Sequence, residues 1–134
     1  SSRKIMRQAG LRSPSMWIRV AASLGFLAVA LGAFGAHLLR SRVTDAQLGV
    51  WQTGVLYHAL HAVALLAVSL YGDATGRAIK WPALAFTVGV VLFSGSLYAM
   101  VLTGVRKLGI ITPFGGLAFL TGWVLVAVQL GRSR

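Results

Sequence analysis

A chain of 134 residues that is 57% hydrophobic and only 11% charged is too apolar for an ordinary soluble domain. Its formal charge of +11 would suit nucleic acid, but the basic residues stand at the edges of long apolar runs, where they would meet anionic lipid headgroups instead. The absence of cysteine excludes disulfides, thiolate metal sites and CxxC redox chemistry.

Residues 1–15 form a basic tail whose Arg3, Lys4, Arg7 and Arg12 face no acid. This is the composition of a headgroup-binding arm, and equally of a mitochondrial presequence. About 20 apolar residues cross the hydrocarbon core of a bilayer, and four segments reach that length: roughly 16–39, 48–71, 81–103 and 110–130. They predict an all-α fold, an integral membrane four-helix bundle of one domain, closed by a short basic tail over 131–134. The first segment is too long for a signal-peptide core, and three similar segments follow it. Thr44 and Asp45 are candidate caps for the second helix, and Pro82 suits the first turn of the third. Nine basic residues flank the ends that include both termini, against four (Arg40, Arg42, Arg106, Lys107) in the first and third connections. Both termini are therefore expected on the cytoplasmic, or matrix, side.

Small residues recur at four-residue spacing, Ala28, Gly32 and Ala36 in the first segment and Ala118 with Gly122 in the last, a pattern that lets helix backbones approach. Such faces could also dock a larger membrane complex.

Histidine is costly in hydrocarbon, yet the second segment reads YHALH at 57–61. His58 and His61 share a helix face, at depths of about 15 and 20 Å, whereas His37 lies only about 3 Å below its boundary. That gap of roughly 12 Å keeps His37 from a three-histidine zinc site, whose nitrogens must all reach one ion at about 2.1 Å, unless the first helix extends differently or the second tilts. Two histidines on one face cannot both bind one haem iron, so haem would need a second copy of the chain. Tyr57, His58, Ser94 and Ser96 fall at one level, with Tyr98 slightly shallower, and His37 matches Thr112 near the boundary. One reading has these side chains hydrogen-bond across helices and fix the register. The other has the outer half of the bundle form a polar pocket for a headgroup, a quinone ring or a small solute. No motif unites a nucleophile, a base and an orienting acid, so no enzymatic activity is expected. The apolar segments also hold no carboxylate for ion-coupled transport.

The segments ALGAFGAHLL (30–39), WQTGVLYHALHAVALL (51–66), VLFSGSLYAMVLTG (91–104) and ITPFGGLAFLTGW (111–123) resemble, in order, the motifs of the YgdD-like small membrane proteins. The resemblance covers about 17–130. It implies four transmembrane helices and a family of bacterial proteins, with eukaryotic relatives, that has no established activity. It also implicates His37, Trp51, Thr53, Tyr57, His61, Ser94, Gly95, Ser96, Tyr98, Thr112, Pro113, Gly115, Gly116 and Trp123, the glycines as packing positions. His58 departs from the pattern, since relatives can carry glutamine there, and the basic tail looks longer than the family's usual start.

Together these readings favour a structural or accessory subunit of a membrane complex, located in the bacterial inner membrane, with the mitochondrial inner membrane second. A quinone- or headgroup-binding module is the alternative and a small-solute transporter the lesser one. Expected partners are anionic lipids and other membrane subunits or a second copy, not nucleic acid. No metal and no obligatory cofactor are expected, with quinone or haem kept as options.

Overall fold

A computed structural model describes residues 13–132; the headgroup-binding candidates Arg3, Lys4, Arg7 and Arg12 lie outside them. Helix α1 comprises Ser13–Val29, a π segment Ala30–Gly35 and a last turn Ala36–Leu39. Helix α2 is Asp45–Thr75. Helix α3 comprises Lys80–Gly89, a π segment Val90–Ser94 and Gly95–Thr103. After a 3-10 turn Arg106–Ile110, helix α4 comprises Thr112–Leu125 and a π segment Val126–Leu130. All four spans are long and apolar enough to cross a membrane, so the all-α four-helix expectation stands.

Local chemistry sets the boundaries. The Thr44 hydroxyl accepts from the Gln47 N–H at 3.1 Å while the Gln47 carboxamide oxygen accepts from the Thr44 N–H at 3.0 Å, a capping box that starts α2 at Asp45. Gly76 (φ 72°) and Gly104 (φ 73°) end α2 and α3 in the left-handed region, where a side chain would be strained. Helix α2 therefore runs past the expected 48–71. Gly72 does not break it, because that glycine stays helical and packs on Ile79, and the chain turns only at Gly76. Asp45 and Asp73, read as loop acids, are thus the first residue and part of the last turn of α2.

The short connections make consecutive helices antiparallel neighbours: α1 packs on α2, α2 on α3 and α3 on α4. Helices α2 and α3 are the centre of the molecule, and α1 and α4 expose most of their surface to lipid, including Phe26, Phe34, Phe114 and Leu120. A core of Trp17, Ala21, Leu65, Val68, Ile79, Ala83 and Phe86 closes the end that carries the termini. Lipid tails are as apolar as these side chains, so close packing and polar contacts hold the helices together.

Three of the expected packing positions lie at such contacts. A methyl group on Gly32 would come within 2.9 Å of Val55, one on Gly122 within 2.6 Å of Phe86, and one on Gly115 would collide with the Phe93 backbone. Ala28 is buried, and Ala36 and Ala118 are half-buried. Two expectations are corrected. Gly95 has nothing within 4 Å of where a Cβ would stand, and Gly116 meets only the Phe93 ring at 4.0 Å, because α4 turns Gly115 rather than its neighbour towards α3. Gly32 and Gly122 thus make their closest contacts within the chain, while Ala36 and Ala118 stay partly exposed.

Candidate functional site

The midpoint of α2 is residue 60, halfway between 45 and 75, so Tyr57, His58 and His61 lie near mid-membrane. His61 is 2% exposed although an imidazole there is costly without partners. Both of its nitrogens have one: Nδ1 lies 2.8 Å from the Tyr57 carbonyl, and Trp123 Nε1 donates to Nε2 at 3.1 Å. An indole N–H only donates, so Nε2 must be the acceptor and Nδ1 carries the proton. The tautomer of His61 follows from these partners. Its ring stacks on Phe119 with centroids 3.6 Å apart and planes 10° apart, and meets Phe86 and Trp123 at steeper angles. An aromatic pair of this kind contributes about 0.5–1.5 kcal/mol beyond its burial.

His58, 3% exposed, holds the Tyr98 hydroxyl at 2.9 Å through Nδ1. Its Nε2 has no hydrogen-bond partner of sound geometry among the described residues, although the Leu24 backbone of α1 lies close to the ring. Trp51 donates to the Leu31 carbonyl of the α1 π segment at 2.9 Å and lies against Tyr98.

The serines do not join the histidines. Ser94 donates to the Gly54 carbonyl at 2.7 Å, a bond made possible by the close approach of α3 to that glycine. Ser96 donates to the Phe93 carbonyl at 2.8 Å, so its oxygen accepts from Thr112 at 2.6 Å and joins α3 to α4. A serine side chain is short and reaches the nearest backbone before it reaches an imidazole across the seam. Thr112 is thereby paired with Ser96 rather than His37, which is exposed at the end of α1. The expected single outer pocket is replaced by separate polar contacts in separate helix seams. Among the described residues no three His, Asp or Glu side chains come together.

The cavity lies deeper than expected. Between α2 and α4 a cleft of about 570 Å³ opens sideways to lipid, walled by Tyr57, His61, Phe93, Phe119, Leu117 and Trp123. Tyr57 is 39% exposed, and its hydroxyl has no hydrogen-bond partner among the described residues. Its ring lies near-parallel to those of Phe119 and His61, 6.2 and 6.4 Å away. A smaller cleft of about 330 Å³, lined by Gln47, Met100 and Arg106 among others, sits at the opposite end from the termini.

The sequence matches the family described as "Protein of unknown function (DUF423)" over residues 31–116. The chain belongs to that family. The UPF0382 membrane protein YwdK of Bacillus subtilis is 45% identical to this DUF423 chain over 118 residues, covering 84% of the chain and 94% of YwdK. The UPF0382 inner membrane protein YgdD of Escherichia coli K12 is 43% identical over 118 residues, 85% of the chain and 88% of YgdD. The UPF0382 membrane protein SAB0533 of Staphylococcus aureus is 37% identical over 113 residues, 84% of the chain and 93% of that relative. No solved structure matches. Four spans and these relatives make this DUF423 protein a multi-pass inner-membrane protein.

Sequence reasoning from spacing alone missed the far wall of the cleft. Phe119 and Trp123 are four residues apart and share a face of α4, a pairing that could have been set against the two histidines of α2. Trp123 entered only through the family resemblance, and Phe119 not at all.

Proposed function

We propose that this DUF423 protein is a binding module for a neutral lipid of the quinone class, held by the α2–α4 cleft. The single observation that carries the reading is the free Tyr57 hydroxyl in an aromatic-walled cleft near mid-membrane. A hydroxyl in hydrocarbon gains from an acceptor, and at this depth the acceptor must be uncharged, because a charged headgroup there is costly. Acyl chains offer none. A planar ring bearing carbonyls meets both demands, accepting from Tyr57 while its face lies against Phe93 or Phe119. An anionic headgroup belongs instead in the smaller cleft beside Arg106, at interfacial depth. The accessory-subunit reading comes second, since Gly32 and Gly122, two of the small residues that favoured it, pack against Val55 and Phe86 of the same chain. No observation favours transport.

The test is extraction of neutral lipids from protein purified in native membrane discs. Prenylated quinone is expected to copurify, and added quinone to quench fluorescence that is missing in Trp123→Phe. Tyr57→Phe should weaken retention by about two- to ten-fold, the value of one hydrogen bond, with thermal stability unchanged. Absence of both copurified quinone and Trp123-dependent quenching would overturn the reading.

A further inference from the structure

A second cavity follows the cleft along the same helix seam. Beyond Trp123, which lines both, a groove of about 430 Å³ runs between α2 and α4 towards the end of the molecule that carries the termini. Its walls are apolar, and Ala64, Ala67 and Ala127 leave notches between Val126 and Tyr71. The groove is closed at the bottom by polar contacts. Arg77, in the α2–α3 connection, donates through Nη1 to the Leu130 carbonyl at 2.9 Å and through Nη2 to the Arg132 carbonyl at 2.6 Å. Tyr71 adds a longer contact from its hydroxyl to the same Leu130 carbonyl, 3.4 Å. The π segment Val126–Leu130 ends at this point, with the Gly131 N–H reaching back to the Val126 carbonyl at 3.2 Å. A cation that binds the last carbonyls of a helix also offsets its dipole, so the closure suits its position.

We infer that the ligand of this site carries a hydrocarbon tail, which lies in the groove and ends at the closure made by Tyr71 and Arg77. This rests on the quinone-class reading for the ring. The two cavities share Trp123 as a wall and lie in succession along α2, and this sets the direction of the tail, because from Tyr57 the path along α2 leads past Ala64 and Ala67 to Tyr71. That path is about 21 Å, fourteen residues at about 1.5 Å each. Tail and surrounding lipid are equally apolar, so the groove adds shape fit and dispersion contacts, not transfer from water. Its effect is therefore modest and dependent on length.

The experiment uses the full chain in membrane discs, with quinone analogues that share one ring and differ in tail length, and reads Trp123-dependent quenching against analogue concentration in the lipid phase. Affinity should rise about three- to ten-fold from the tail-less ring to a tail of about 21 Å, and stay level for longer tails. Ala67→Leu and Ala127→Leu, both at exposed positions that tolerate bulk, should each remove that gain while leaving the tail-less analogue unaffected. If the tail-less ring binds and neither tail length nor these substitutions matter, the tail site is wrong and the ring site stands. The same conclusion follows if a phospholipid is retained in the groove alongside the bound ring. If no analogue binds, both readings fall.

Discussion

At the residue scale, the cost of placing an imidazole in hydrocarbon is met one nitrogen at a time. His61 has both nitrogens matched, one to a carbonyl that can only accept and one to an indole that can only donate. His58 has one matched to Tyr98 and one that meets the Leu24 backbone without good alignment, so Tyr98 supplies its well-formed cross-helix hydrogen bond. Tyr98→Phe should therefore destabilise the protein by about 0.6–2 kcal/mol, the range for a hydrogen bond between membrane helices. Thermal unfolding in mild detergent would read this against Tyr57→Phe, which removes a hydroxyl with no partner. Equal loss in the two variants would show that the His58–Tyr98 contact contributes nothing. The presence of His58 and His61 on one inward face was legible from their three-residue spacing. Their partners were not, because an aromatic N–H or O–H reaches across a seam from a backbone level that helix rise alone does not specify. Depth counting matched His58 to Ser94 and Ser96, when the longer Tyr98 and Trp123 side chains were the ones able to span the gap.

At the element scale, helix contacts are decided by which glycine of a pair faces the neighbour. Four-residue spacing singled out Gly32 and Gly122, and an added methyl at either would crowd a neighbouring helix, because a strict repeat keeps its residues on one helix face. Gly115 and Gly116 are adjacent and point about 100° apart, so the sequence could not say which one touches α3. Gly89, whose added methyl would collide with Phe119, went unnoticed although Ala85 stands four residues before it. Gly115→Ala is expected to cost about 1–3 kcal/mol by forcing α4 away from the Phe93 backbone. Gly95→Ala meets open space and should be neutral or stabilise by up to about 1 kcal/mol through helix propensity. Unfolding of the two variants in one detergent compares them directly, and a Gly115→Ala protein as stable as Gly95→Ala would refute the close approach. The three π segments left no mark in composition. One of them presents the Leu31 carbonyl to Trp51, and another ends where Arg77 meets Leu130.

At the scale of the whole molecule, four apolar lengths were enough to read the all-α membrane fold, and short connections made the order of neighbours legible as well. The side cleft was not legible, because it depends on α2 and α4 meeting through ring-bearing side chains while their backbones stay apart. Orientation is argued from charge: the connections over 40–44 and 104–111 carry four bases, the other ends nine. Since the chain has no cysteine, Ser41→Cys and Ala78→Cys each supply a single labelling site. A membrane-impermeant maleimide added to intact cells is expected to label Ser41→Cys and not Ala78→Cys; the reverse pattern would invert the topology. The length of α2 bears on how the protein stands in its bilayer. Asp45 and Asp73 are 28 residues apart, about 42 Å along the axis, close to the full thickness of a bilayer with its headgroups. An upright α2 keeps both carboxylates hydrated, while a thinner membrane makes the helix lean and a thicker one draws an acid towards the acyl region. The two acids thus act as a gauge of hydrophobic mismatch, tying the tilt of the central helix to the thickness of its host membrane.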